Sequence, residues 1–185
     1  MKIEIKFELN GKSYKTDVRP DEMLLETLRS AGCLSVKCGC ETTNCGLCTV
    51  FIEDEPRLSC AYPSPRANGK KIVTLEGLPM IAEELGEFIA GHGAEQCGFC
   101  NPGFIMNIIA MEREFNLQKG EPIPSEDDIR SYLVGNLCRC SGYESQLRGI
   151  MDYFEYRYGV GASGDTGSTG EDRKRTSVIR KRWCR

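Results

Sequence analysis

The amino-acid sequence predicts an α+β fold in two parts. Residues 1–77 read as a small unit of strands around one helix, residues 78–159 as an all-α four-helix bundle, and residues 160–185 as a tail. Three observations predict this. The chain opens on period-two alternation broken by an Asn-Gly turn. After Gly77 the apolar residues recur at helical spacing in four successive segments. The cysteines fall in groups at the edges of these elements.

"KIEIKFEL" alternates charged and apolar residues, as a half-buried strand does. Asn10-Gly11 is a hairpin turn, because both residues accept positive φ, and "KSYKTDV" returns as the second strand. Pro20 and Asp21 open a helix over "EMLLETLRSAG", with Asp21 as N-cap and Gly32 as the stop. "CTVFIE" reads as a strand, "DEP" as a turn and "KKIVTLEG" as another strand. In the second part "MIAEELGEFIAGHG" is amphipathic and helical. Asn101 as N-cap and Pro102 at the first helical position open "GFIMNIIAMEREFN". Ser125 and Asp128 have the spacing of a capping box before "EDDIRSYLV", which Gly135 ends. "YESQLRGIMDYFEYRY" is the last helix, closed by Gly159. The Ile, Leu, Phe and Met stripes of these helices are core. The tail is rich in Gly, Ser and Thr, then basic, and cannot bury enough apolar surface to fold alone. Docking on a partner subunit, or plain solvation, is what it is suited to.

Composition bounds the function. With 40% hydrophobic residues, 28% charged residues and a net charge of −3, the chain is ordinary for a soluble domain and has no general attraction to nucleic acid. The average hides a split: residues 1–160 carry 17 Lys/Arg against 24 Asp/Glu, and residues 161–185 carry 7 against 3. No apolar run of about 18 residues offers a membrane span. The alternating start lacks the charged-then-apolar pattern of a secretory leader, so a cytoplasmic location is expected.

The eleven cysteines are Cys33, Cys38, Cys40, Cys45, Cys48, Cys60, Cys97, Cys100, Cys138, Cys140 and Cys184. An odd number in a reducing compartment argues for metal or redox sites over a disulfide framework. Cys40-x4-Cys45-x2-Cys48, with Cys60 after eleven intervening residues, has the spacing of a plant-type [2Fe–2S] loop. Substituting Cys38 for Cys40 spoils that spacing, whereas zinc knuckles come as paired C-x2–4-C. The second set is Cys97-x2-Cys100 and Cys138-x-Cys140, each just before a helix. Unpaired amides and a partial positive charge at a helix start favour thiolates. Two such ends facing each other would hold one tetrathiolate centre, and spacing alone leaves zinc and iron–sulfur both open. Cys33, Cys38 and Cys184 are left as ordinary thiols. His92, the single histidine, makes no Ser–His or Cys–His machinery. Neither a P-loop nor a G-x-G-x-x-G fingerprint is present.

"EQCGFCNPGFIM" followed by "GNLCRCSGY" closely resembles the signature of the molybdenum hydroxylase family, which includes xanthine dehydrogenases and aldehyde oxidoreductases. "LLETLR", "CGLCTVFIEDEPRLSC" and "IVTLEGL" match the first half of its small iron–sulfur subunit, and the resemblance spans about residues 2–157. It implies an N-terminal β-grasp ferredoxin-like domain, with one [2Fe–2S] cluster on Cys40, Cys45, Cys48 and Cys60. It implies a second [2Fe–2S] cluster in the helical domain on Cys97, Cys100, Cys138 and Cys140. Gln96 and Cys140 match the residues that touch molybdopterin in the family. Molybdopterin would sit on a large partner subunit and FAD on another, in a heterotrimer or a dimer of heterotrimers. Electrons would pass from molybdenum through the two clusters to flavin, with substrate oxidised elsewhere and water supplying the oxygen. The alternatives are a free-standing two-cluster ferredoxin-like carrier and a zinc-stabilised interaction module. The family loop has glycines where this chain has Glu41 and Thr43, and "CTPG" where it has "CNPG".

Overall fold

The computed structural model describes residues 1–120 and 122–159. The expected docking or solvation of the basic tail, and Cys184 with it, lie outside the described residues.

The alternating start is strand β1 (Ile3–Leu9), and it pairs antiparallel with β2 (Lys12–Val18) from Ile3↔Val18 to Leu9↔Lys12. Asn10 and Gly11 take φ of 52° and 78°, the geometry of the two-residue turn. Ile5, Phe7 and Leu9 face the core while Glu4, Lys6 and Glu8 face outward. Helix α1 (Leu24–Ser30) begins later than its sequence suggests. Asp21 is not its cap: Met23 occupies that position, and the Leu24 N–H donates to the Tyr62 carbonyl at 2.8 Å. A neighbouring backbone thus satisfies the first amide, and Asp21 pairs with Arg19 instead at 3.4 Å.

Strand β3 (Thr49–Ile52) turns through Glu53 and Asp54, at φ of 53° and 65°, into β4 (Glu55–Leu58). Pro56 therefore sits in an edge strand and not in the turn. Strand β5 (Lys71–Val73) completes a sheet of order β2-β1-β5-β3-β4, in which β1 and β5 are parallel and the other pairs antiparallel. With α1 packed on it, this is the β-grasp arrangement. All four residues of β3 are buried. Val50 and Ile52 join the core of the sheet and α1, whereas Phe51 points the other way, into the core of the helices.

The helical half is α2 (Pro79–Gly91), α3 (Asn101–Glu114), α4 (Glu126–Tyr132) and α5 (Glu144–Tyr158). α3 is its axis, buried at nine of its fourteen positions. Cys100, one residue before the expected Asn101, is the N-cap of α3, and Asn101 and Pro102 are its first two helical residues. The Ser125–Asp128 capping box forms as its spacing predicts, at 3.2 and 2.9 Å. α2 lies against α5 at Gly149, where a Cβ would stand 2.9 Å from the Phe88 carbonyl oxygen.

The two halves meet over the first cysteine loop. Cys45, Leu47 and Phe51 belong to the same buried cluster as the helices. A Cβ on Gly103 would stand 2.6 Å from the Gly46 carbonyl and 2.7 Å from the Leu47 Cα, so only glycine lets α3 come this close. Arg113 stacks over the Phe51 ring at 4.2 Å and pairs with Asp54 at 3.6 Å. Among the described residues no helix is long and apolar enough to cross a membrane.

Candidate metal centres

The first site is built on the loop between α1 and β3. Glu41 and Thr43 hold φ of 55° and 61° there, the left-handed conformation that glycine adopts without strain. The departures from the family pattern thus occupy positions where the backbone geometry itself asks for glycine. These bends bring the Thr42 N–H to the Cys40 sulfur at 3.4 Å. Hydrogen bonds from the Thr42 and Asn44 amides and the Thr42 side chain hold the Cys40 thiol down to about 6. Cys45 and Cys48 are buried, and burial, then Cys40 and Cys48, pushes the Cys45 thiol up. Burial, then Cys48, pushes the Cys60 thiol up to about 12. The four sulfurs thus share one site: Cys48, Cys40 and Cys45 all act on Cys60. Cys38 is exposed and enters none of these interactions. Cys33 is buried in the core of the sheet and α1, 4.0 Å from the Asn10 amide.

The second site joins the N-terminal end of α3 to the turn before α5. Cys97 and Cys140, both exposed, bring their sulfurs to 3.4 Å. Cys100, buried, and Cys138, half-buried, are the inner two thiols. Burial, then Cys138, pushes the Cys100 thiol up to about 12. Burial also opposes ionisation of Cys138, but the Ser141 hydroxyl and amide, at 3.2 and 3.4 Å, together with the Cys140 amide and Cys100, outweigh it and lower its pKa. The Cys138 N–H donates to the Tyr143 hydroxyl at 2.9 Å, and Tyr143 reaches it from a left-handed φ of 72°. Gln96, exposed, donates to the Cys140 carbonyl at 3.1 Å, so the two residues matched to the pterin contact are neighbours. His92 lies elsewhere, bonded to Asp152 at 2.7 Å.

Sequence reasoning did not find Ser141 or Gln146. Gln146 is 2% exposed, and its Nε2 lies 3.6 Å from the Cys100 sulfur. The available signal was a lone amide beside Leu147 and four residues before Ile150, on the apolar stripe of α5. A polar hub at the junction of the halves was missed as well. Asn107 donates to Thr49 Oγ1, Asn136 Oδ1 and the Gly103 carbonyl at 3.0–3.1 Å. Beside it the Leu137 N–H donates to the Cys45 carbonyl at 2.9 Å. One hydrogen bond and the backbone of Leu137 therefore join Cys45 of the first site to Cys138 of the second.

The donor sets fit a binuclear cluster. Among the described residues no three metal-ligating side chains converge on one ion. Each set is four cysteines, which a [2Fe–2S] cluster takes as two on each of two irons, while a structural zinc takes all four on one centre.

Residues 7–71 match the 2Fe-2S iron-sulfur cluster binding domain, and residues 74–151 match the [2Fe-2S] binding domain. The xanthine dehydrogenase iron-sulfur-binding subunit of Escherichia coli O157:H7 is 40% identical over 153 residues, covering 81% of this chain and 93% of that subunit. This chain belongs to the [2Fe–2S] subunit family of the molybdenum hydroxylases. The nicotinate dehydrogenase small FeS subunit of Eubacterium barkeri, another relative in this family, is 38% identical over 148 residues, covering 77% of this chain and 88% of that subunit. The quinoline 2-oxidoreductase structure from Pseudomonas putida 86 superposes with a TM-score of 0.73 at 34% identity, over 84% of this chain and 95% of that one. The aldehyde oxidoreductase of Desulfovibrio gigas superposes with a TM-score of 0.72 at 32% identity, over 83% of this chain and 17% of that one. The family's domain order is the one found here, a ferredoxin-type domain and then a helical one, each a [2Fe–2S]-binding domain.

Proposed function

We propose that this chain is the electron wire of a multi-subunit, molybdenum-dependent hydroxylase. Cys40, Cys45, Cys48 and Cys60 hold one [2Fe–2S] cluster in a ferredoxin-type domain of residues 1–77. Cys97, Cys100, Cys138 and Cys140 hold the other in a helical domain of residues 78–159. Electrons enter at the exposed rim of the helical site, where Gln96 and Cys140 meet molybdopterin on a large partner subunit. They leave from the first loop toward FAD on a second partner. The clusters supply one-electron chemistry, and the protein supplies position and tuning. Gln96 presents its amide beside Cys140, and the Leu137–Cys45 hydrogen bond ties the two loops together. The assembly is a heterotrimer, or a dimer of heterotrimers, in the cytoplasm, whose reducing conditions suit free thiols such as those described here.

The observation that carries this reading is the gathering of two sets of four thiols, linked through Leu137. Iron and acid-labile sulfide analysis of the purified complex, with EPR of the reduced protein, tests it. Two distinct [2Fe–2S] signals are expected, both retained in Cys38→Ser and one lost in Cys40→Ser. Zinc in place of iron and sulfide would overturn the cluster reading. Recovery of the chain without any molybdenum-bearing or flavin-bearing partner would overturn the wire reading and favour a free-standing carrier.

A further inference from the structure

The two sulfur pairs of the helical site differ in what touches them. The outer pair, Cys97 and Cys140, is exposed, and its hydrogen bonds come from the local backbone and from each other. The inner pair receives side chains. Ser141 Oγ lies 3.2 Å from the Cys138 sulfur, and Gln146 Nε2 lies 3.6 Å from the Cys100 sulfur. These two side chains also bond each other, Ser141 Oγ to Gln146 Oε1 at 2.9 Å. The Ser141 hydroxyl has one proton and two acceptors in reach, and it accepts the Tyr143 N–H at 3.2 Å. It donates either to sulfur or to the amide oxygen. A buried glutamine on an apolar helix face is costly unless it is fully bonded, so its place here calls for a reason.

We propose that Ser141 and Gln146 act as one hydrogen-bonded pair that stabilises added negative charge on the Cys100–Cys138 side of the helical cluster, so that an arriving electron rests on its buried side. This rests on the assignment of that site to a [2Fe–2S] cluster. Hydrogen bonds to ligating sulfur raise the potential, and the partners of a ligand tune it as much as the ligand itself. One electron, supplied by the molybdenum-bearing partner, reduces one ferric iron, and no proton or covalent bond changes. As charge accumulates on the Cys138 sulfur, the Ser141 hydroxyl turns to it from Gln146 Oε1. The buried side is also the useful side, because Cys138 follows Leu137, whose amide bonds the Cys45 carbonyl of the first site. Ser141 and Gln146 are positioning residues that act through the thiolates.

The test is an EPR-monitored redox titration of the intact complex carrying Ser141→Ala, Gln146→Leu or Ser141→Thr. Ser141→Ala and Gln146→Leu should each lower the midpoint of the helical cluster and leave that of the first cluster unchanged. Each lost hydrogen bond should shift the partition of an electron between the clusters by about tenfold, or about 59 mV for a one-electron couple. Ser141→Thr, which keeps the hydroxyl, should restore the wild-type midpoint. Pulsed EPR after exchange into D2O should lose one exchangeable-proton coupling in Ser141→Ala. An intact helical cluster with an unshifted midpoint in both variants would overturn the proposal while leaving the cluster assignment standing. Loss of the cluster in both variants would also overturn it, because the pair would then serve assembly and not potential. A wild-type complex with no second [2Fe–2S] signal would sink the assignment together with the proposal.

Discussion

The two halves, each a [2Fe–2S]-binding domain, surround their cysteines with different materials. The ferredoxin half uses backbone. Its loop is strained into left-handed turns at Glu41 and Thr43, and the amides that this frees point at Cys40. Its buried polar residues are all hydroxyls: Thr27, Thr49, Ser59, Ser64 and Thr74. The helical half adds buried side chains to the backbone amides of Phe99, Cys140 and Ser141 at its cysteine turns. It buries Gln146, Asn136 and Glu112, and two of these stand at the cluster site or at the junction with the first loop. A loop can deliver many amides to one point because its φ and ψ vary residue by residue. Helices have already committed their amides, apart from the first turn, so a residue on α5 reaches a thiol with a long polar side chain, as Gln146 does.

The comparison breaks most visibly at the ligands. Cys138→Ser exchanges a soft thiolate for a poorly ionised hydroxyl and should remove half the iron of the chain, while the loop cluster keeps its EPR signal. Loss of both signals would mean that the halves do not hold their clusters independently.

Gly103→Ala probes their junction. Alanine is favoured in a helix by about 1 kcal/mol, but the overpacking it introduces costs about 1–3 kcal/mol. Because the atoms met are backbone at 2.6 and 2.7 Å, the upper end of that range is expected and the variant should be less stable in denaturant titration. The loop cluster's spectrum should change although the substitution lies on α3. An unchanged spectrum would show that the loop keeps its shape without the helix.

Glu112 sharpens the contrast in buried polarity. Burial raises its pKa, although Tyr153, Tyr158 and Arg157 pull the other way. Its folded pKa lies above the ordinary 4.5, so between the two values the folded state binds more protons than the unfolded one. Stability therefore falls as pH rises from 4.5 through the folded pKa, and the ionised carboxylate is a net cost above it. Glu112→Gln should abolish that fall in a pH series of thermal melts and still accept the Tyr158 hydroxyl bond, now 3.0 Å. Retention of the slope in Glu112→Gln would assign it to another group.

The smallest effect is expected at Glu41→Gly. Left-handed strain of about 1–3 kcal/mol is relieved, against about 0.4–1 kcal/mol of added freedom in the unfolded chain. The variant should be slightly more stable with its loop cluster unaltered, as a melting curve and a visible spectrum would report. A clear loss of stability would mean that the Glu41 side chain has a role of its own.

Most of the fold was legible because its signals are local. Alternation, the Asn10-Gly11 turn, the Ser125–Asp128 box and four apolar stripes each depend on residues within one element. The Asp21 and Asn101 caps were misread because a cap is settled by whatever backbone lies nearest. For α1 that was the Tyr62 carbonyl, 38 residues away in sequence. The cysteine spacings by themselves determined which thiols share a loop, since a ligand set within one segment is a matter of chain geometry. Only the tertiary structure decided which of those thiols are buried and which exposed, that Phe51 points into the helices, and that Ser141 with Gln146 and Asn107 with Asn136 surround the sites. A hydrogen bond between distant segments has no period and no spacing in the sequence. It exists only once packing has brought its donor and acceptor together and excluded the water that would otherwise replace either partner.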